Sequence, residues 1–327
     1  MIQLTYNQLD SQPSLLTTKL MNHPIGFQSS LLTTKLIDHQ VNIHFLRHYS
    51  SHRQTHALSQ KEQAWNEWFA GLIDGDGCFL ISKAGQISLE ITTGLEDAPL
   101  LQQVKNRVGG VVKPRSGSKS VRLRVFRKQQ LLAVLGRVNG LIRLPARRAQ
   151  LQKVCQLLQL TYQPPCDLTW NHGYLAGLFD ADGSVTLSVS QTSQPLSIAS
   201  GTYGKYLRLK HSKGNHQLSL HIVSKDATIV QQLCQVYGFG RYLVESVNQT
   251  QKRPNPLYRW YFGNVDQVAC WLAYVNQHAL RSHKRHRCFL LQEYFYLKQN
   301  KAHLACTQSV LHQQWDRFCR RWFCLDD

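Results

Sequence analysis

Two ten-residue segments, WFAGLIDGDG at 68–77 and YLAGLFDADG at 174–183, share six identical positions and set the symmetry of whatever this chain folds into. Phe69/Leu175, Ile73/Phe179 and Gly75/Ala181 exchange one apolar or small residue for another. One repeat spaced by about a hundred residues predicts two copies of a domain, because a solenoid needs shorter and more numerous units. On a helical wheel Trp65, Trp68, Phe69, Leu72 and Ile73 fill one broad arc, as an amphipathic helix requires. Ala70, Gly71, Asp74 and Gly75 fill the other. The second copy sets Tyr174, Leu175, Leu178 and Phe179 against Ala176, Gly177, Asp180 and Ala181. Small residues spaced by four allow close backbone approach, so Ala70, Gly71, Ala176 and Gly177 are expected at an interface between the two helices. Gly77 and Gly183 are expected to end them in the left-handed conformation.

Asp76 and Asp182 then sit where each helix stops, beside unpaired carbonyls and the negative end of the helix dipole. If the helices lie side by side, the two carboxylates converge and repel unless a cation intervenes. Hard oxygen ligands left partly open suit a Mg²⁺-type ion, with water and a phosphate completing the shell. Such a pair is what metal-assisted phosphodiester hydrolysis needs. A calcium loop is excluded: its sixth and twelfth positions, Gly and Glu, are Phe79 and Gly85 counted from Asp74, and Val185 and Gln191 from Asp180. No P-loop, dinucleotide fingerprint or HExxH is present.

The chain is strongly basic, with 38 Lys plus Arg against 19 Asp plus Glu and a net charge of +19. That excess supplies the phosphate-neutralising attraction that dominates nonspecific nucleic-acid binding. In VRLRV, Val121, Leu123 and Val125 alternate with Arg122 and Arg124, which reads as a strand with one apolar and one cationic face. Lys113 and Arg115 share a face in a neighbouring candidate strand, as do Arg208 and Lys210, and Arg259 and Tyr261, in the second half. A sheet with such a face can lie in a major groove, where Arg reads guanine edges.

The motif and its flanks resemble the LAGLIDADG homing endonucleases in their monomeric, double-motif, intron-encoded form. The flanks are CFLISKAGQISLEIT, DAPLLQQVKNRVGG and VRLRV in the first half, and QLSLHIVSKDATIVQQLCQVYGFG, YRWYF and LRSHKRHRCFLLQEYFYL in the second. The resemblance implies an α/β fold of two pseudo-symmetric αββαββα half-domains whose saddle-shaped antiparallel sheets grip a long, asymmetric double-stranded DNA site. It implies divalent-metal hydrolysis of both strands across the minor groove, leaving short 3′ overhangs. Asp76 and Asp182 would be the metal ligands, helped by the carbonyls of Gly75 and Ala181. A polar, water-positioning residue falls on Thr93 and Ser224, and a lysine on Lys284. The matching first-half segment, IRLPARR, carries Ala146 there, with Arg143 and Arg147 as candidate substitutes. Arg281, Arg285 and Arg287 surround Lys284 as candidate phosphate contacts. The same resemblance carries a second reading: an RNA maturase that assists splicing of its own group I intron without cutting. Either way the expected protein is a monomer of organellar origin, chloroplast or mitochondrion.

The expected organisation is a poorly ordered leader over 1–60, a first half-domain over 61–161, a Pro164–Pro165 connector at 162–170 and a second half-domain over 171–327. A Ser/Gly-rich insertion at 191–216 and a last helix near 307–323 lengthen the second half. The leader repeats SLLTTKLMNH at 14–23 as SLLTTKLIDH at 30–39. It lacks the basic start and apolar core of a signal peptide. Nine cysteines without a CxxC pair argue for reduced thiols and against zinc. No apolar run is long enough to span a membrane.

Overall fold

The structure, a computed structural model, describes residues 53–190, 200–214, 216–245 and 255–325. The leader with its repeat, up to residue 52, and residues 191–199 and 215 of the insertion lie outside them. The first motif ends helix α1 (Arg53–Asp76), which runs into β1 (Gly77–Ile81), β2 (Ile87–Gly94), α2 (Ala98–Val108), β3 (Val111–Pro114), β4 (Ser120–Val125), α3 (Lys128–Val138) and α4 (Pro145–Leu157). The second motif is helix α5 (Tyr174–Asp182), followed by β5 (Gly183–Val189), α6 (Gly201–Lys210), β6 (His216–Ser224), α7 (Ala227–Tyr237), β7 (Arg241–Glu245), β8 (Leu257–Phe262) and α8 (Val265–Gln277). Helices α9 (Lys284–Phe289), α10 (Leu291–Gln299) and α11 (Val310–Trp322) complete it. Among the described residues no helix is long and apolar enough to cross a membrane.

Each half builds a four-stranded sheet, in the orders β1-β2-β4-β3 and β5-β6-β8-β7, and every pairing is antiparallel. The α/β architecture that the family resemblance implies is therefore the one observed. Alternation along the strands decides which face is inside. Val121, Leu123 and Val125 are buried and pair across β2 with Thr93, Ile91 and Leu89, while Arg122 and Arg124 point the other way. In the second half Leu218, Leu220 and Ile222 of β6 meet Trp260 and Phe262 of β8 on the inner face. Burying an aliphatic side chain of this size is worth about 1.5–3 kcal/mol, enough to fix each register.

Two expectations are corrected. Arg208 and Lys210 lie on helix α6, not on a strand. Alternation over four residues, Leu207 to Lys210, cannot separate a period of two from one of 3.6. The helix wins because Tyr206 and Leu209 bury one face, and Tyr206 Oη and Lys210 Nζ hold Asp316 Oδ1 of α11 at 2.6 and 3.1 Å. Gly183, with φ −72° and ψ 157°, is extended, and Gly77 likewise opens a strand without a positive φ. Glycine is needed at these two places for space: a Cβ on Gly77 would fall 2.7 Å from Ile73 O, and one on Gly183 would strike Phe179 O.

Candidate active site at the paired motif helices

Helices α1 and α5 lie against each other with almost nothing between their backbones. A Cβ on Gly71 would sit 2.6 Å from Leu178 N, and one on Gly177 would sit 2.7 Å from Trp68 C and 2.9 Å from Leu72 N. Ala70 and Ala176 are fully buried beside them. The small residues thus let two main chains touch, and the aromatic arcs fill the surroundings.

The first aspartate of each motif locks this pair. Asp74 Oδ2 accepts hydrogen bonds from Arg143 N at 2.7 Å and Leu144 N at 3.2 Å, in its own half, and from Tyr174 Oη of the other motif helix at 2.6 Å. Asp180 repeats the scheme. It accepts from Arg281 N at 2.8 Å, Ser282 N at 2.9 Å and Trp68 Nε1, across the interface, at 2.8 Å. The same loops return a cation: Arg143 Cζ stands 5.2 Å over the Tyr174 ring and Arg281 Cζ 4.6 Å over Trp68. Burial pushes the Asp74 carboxyl up to about 7 against these three donors, and raises Asp180 in the same way. Glu67 of α1 accepts from Gly173 N at 2.7 Å, placing a carboxylate at the start of α5 where the dipole favours it. Sequence reasoning gave Asp74, Asp180 and Glu67 no such roles. Only the repeated aspartate at the same helical position hinted at them.

The second aspartate of each motif is built differently. Asp76 and Asp182 end their helices, as expected, and among the described residues neither carboxylate accepts a hydrogen bond. A Cβ on Gly75 would fall 3.0 Å from Asp182 Oδ2, so the Asp182 carboxylate reaches across to the end of α1. Burial, and then the charge of Asp182, push Asp76 up to about 7. Burial raises Asp182 as well, while Lys284 and Arg147 oppose it. Two neighbouring carboxylates without donors are what a hard cation could bind. No group of three or more His, Cys, Asp or Glu gathers among the described residues, so an ion held here would take most of its shell from water and substrate. The residues present fit such a hard, open site.

The structure brings Lys284 to the same place. Its Nζ donates to Ala181 O and Asp180 O at 2.7 Å each and to Phe179 O at 3.2 Å, closing the C-terminal end of α5. Ala146 can offer nothing similar to α1. Arg147, the next residue, lies close enough to raise the charged form of both Asp76 and Asp182, and its Nε is buried without a hydrogen-bond partner. Arg143 is turned away toward Tyr174. Thr93, the last but one residue of β2, lies on the inner face, buried, with Oγ1 donating to Gly94 O at 3.3 Å. Ser224 ends β6, and its Oγ accepts from Asp226 N at 3.0 Å.

The cationic residues divide. Lys113 and Arg122 face each other across β3 and β4 on the outer side of the first sheet, with Arg124 one pair further on. Glu90 of β2 shares that face and pairs with both, at 2.8 Å to Arg122 and 3.3 Å to Arg124. Arg115 is exposed in the turn after β3 rather than on the strand. Arg259 lies on the outer side of β8, paired with Glu245, beside Tyr261 Oη, which accepts from Gln217 Nε2 at 3.0 Å. Arg281 is committed to Trp68 and Asp180, at the junction of the halves.

No family model matches the chain. It is 30% identical over 271 residues to the intron-encoded DNA endonuclease ai2a of Dictyostelium discoideum, covering 83% of this chain and 78% of that protein. It is 31% identical over 276 residues, 84% of its length, to the intron-encoded RNA maturase bI4 of Saccharomyces cerevisiae. It is 30% identical to a probable intron-encoded endonuclease aI2 of Debaryomyces hansenii. The chain spans 38% of the length of each of these two yeast relatives. Among solved structures it resembles the I-LtrWI LAGLIDADG homing endonuclease bound to target DNA, with a TM-score of 0.59 at 13% identity over 80% of this chain and 98% of that one. It also resembles the LAGLIDADG meganuclease I-AabMI bound to uncleaved DNA, with a TM-score of 0.54 at 16% identity over 77% and 98%. With its doubled motif, two matched sheets and a relative aligned over most of both chains, this chain belongs to the LAGLIDADG homing endonuclease family.

Proposed function

We propose that the chain is a monomeric, site-specific double-strand DNA endonuclease that acts in intron homing. The observation that carries this reading is the meeting of two helix ends that leaves Asp76, half-buried, and Asp182, open to solvent, close together and without donors. Nucleic-acid binding alone gains nothing from such a pair, since it repels phosphate. In this reading Asp76 and Asp182, with the carbonyl of Gly75, would hold divalent ions, while the Ala181 carbonyl, the matching ligand by position, is taken by Lys284 Nζ. Bound there, an ion of the Mg²⁺ type eases attack of water on phosphorus and stabilises charge on the leaving 3′ oxygen. Thr93 and Ser224 orient water, and Lys284 sets a positive charge where negative charge builds in the transition state. Lys113, Arg115, Arg122, Arg124 and Arg259 meet phosphates and base edges of a long asymmetric site, and Arg281 supports the junction between the halves. Both strands are cut across the minor groove with short 3′ overhangs, in an organelle whose genome carries the intron.

A 31% identity to a protein named as an RNA maturase favours a second reading, binding of the chain's own intron RNA without cleavage. The two part in one experiment. The full chain is given a plasmid carrying the intronless exon junction of its host gene, with Mg²⁺, and in parallel the intron RNA. Linear DNA supports the endonuclease. Intact DNA with tight RNA binding supports the maturase.

A further inference from the structure

Asp97 ends the turn Leu95–Asp97 after β2 and stands at the cap position of α2, yet its side chain makes no bond to that helix. Its counterpart in the second half does. Aligning DAPLLQQV with DATIVQQL sets Asp97 against Asp226, whose Oδ1 accepts from Thr228 N at 2.7 Å and caps α7. Asp97 instead crosses to the other half. Its Oδ1 accepts from His283 N at 2.7 Å, and its Oδ2 lies 2.9 Å from His283 Nδ1. The residue is buried, and the two contacts hold its carboxyl below the ordinary range despite burial.

The mirror-image contact cannot form. Asp74 and Asp180 grip matched loops, Arg143–Leu144 and Arg281–Ser282, so the residues that follow, Pro145 and His283, are equivalent. Proline has no N–H to give, and its side chain carries no polar atom to take the place of the His283 imidazole. The next pair is Ala146 and Lys284. The half with a lysine at its helix end is therefore also the half whose lysine loop is tied down from outside, and the half without one has neither. A carboxylate that gives up its own helix cap for a loop 186 residues away is holding that loop.

We propose that Asp97, a residue of the first half, is a positioning residue for Lys284 of the second half, acting through His283. By fixing the His283 main chain and ring it keeps Lys284 Nζ on the carbonyls that end α5, beside Asp182. The two cutting centres are thus unequal by construction, and one of them is completed only when the halves are docked. This rests on the endonuclease reading for its consequence but not for its geometry.

The test uses the full chain and two readouts. In single-turnover cleavage of a junction duplex labelled on either strand, Asp97→Ala should slow one strand at least about tenfold and the other less than about threefold, as expected for a misplaced catalytic group. The slowed strand should be the one that Lys284→Ala slows, and Asp97→Ala/Lys284→Ala should be no slower than Lys284→Ala, because both changes remove one function. Asp97→Asn, whose amide oxygen still accepts from His283 N, should recover most of the rate. His283→Ala should reproduce the pattern if Asp97→Ala does not fold. In the second readout, without DNA or metal, acylation of Lys284 by an amine-reactive ester is followed by mass spectrometry. It should accelerate in Asp97→Ala and His283→Ala relative to other lysines. Accelerated labelling with no DNA cut by the wild type would end the endonuclease reading and leave the positioning intact. Unchanged Lys284 labelling, or equal loss on both strands with an additive double variant, would overturn the proposal.

Discussion

The same substitution, glycine to alanine in a helix, should have opposite signs at Gly177 and Gly136. At Gly136, on α3, a Cβ meets nothing within 4 Å. Alanine there adds helix propensity and trims the freedom of the unfolded chain, which together stabilise by about 0.5–1 kcal/mol. At Gly177 the same gain is available, but the new methyl lies 2.7 Å from Trp68 C and 2.9 Å from Leu72 N. Those atoms are main chain, so no rotamer change can make room, and the helices must part by a substantial fraction of an ångström. Overpacking usually costs about 1–3 kcal/mol, and backbone against backbone belongs at the upper end. Less the propensity gain, Gly177→Ala should lose about 2 kcal/mol, or about 3 °C in Tm for a chain of this size. Urea denaturation with a common m-value measures both variants. Parting the helices also separates Asp76 from Asp182, and a displacement of about 1 Å at a catalytic centre can cost about a hundredfold in rate. A Gly177→Ala protein as stable as Gly136→Ala would refute the close helix contact.

Three further outcomes are expected. Trp68→Phe removes the cross-interface donor to Asp180 and leaves a buried carboxylate short of one partner, so it should destabilise by about 1–3 kcal/mol in urea melts, whereas Trp65→Phe, at an indole that donates to no acceptor among the described residues, should cost less. His172 and His216 are held neutral, at about 3 and about 4 against an ordinary 6.5, chiefly by burial. The unfolded chain binds protons that these folded imidazoles refuse, so their stabilisation is complete above pH 6.5 and drains away toward pH 4. Asp74, pushed up to about 7, acts in the opposite sense. Urea midpoints between pH 7 and 4.5 should therefore fall less steeply in His216→Phe than in the wild type. Finally, without divalent metal Asp76→Asn should raise Tm, because it removes one of two crowded carboxylates. Mg²⁺ should then stabilise the wild type more than the variant.

Much of this was readable in advance because one pattern was written twice. The duplication placed Asp76 and Asp182 at helix ends and Gly71 and Gly177 at the contact, and strand alternation turned Arg122 and Arg124 outward. What escaped were partners far apart in sequence. Nothing local says that Asp180 meets Trp68 or that Glu90 sits between two arginines. The four residues from Leu207 to Lys210 fit either period, and only the docking of Tyr206 and Lys210 on Asp316 decides for a helix. Gly77 and Gly183 were expected for the right residue and the wrong reason: glycine at a helix end reads as a left-handed cap until the Cβ clash is seen. Asp97 and Asp226 look interchangeable in sequence, and Pro145 opposite His283 was the one available clue that they are not.

The account stands most directly on strand-resolved cleavage of the intronless junction by the wild type, Asp76→Asn and Asp182→Asn, with DNA affinity measured alongside. The wild type should cut both strands with Mg²⁺. Each asparagine variant should lose at least about a thousandfold in rate, as expected when a metal ligand's charge is removed, while its Kd stays within about threefold because phosphate contacts set affinity. Cleavage at the wild-type rate by Asp182→Asn would contradict the claim that the paired helix-end carboxylates hold the metal the reaction uses.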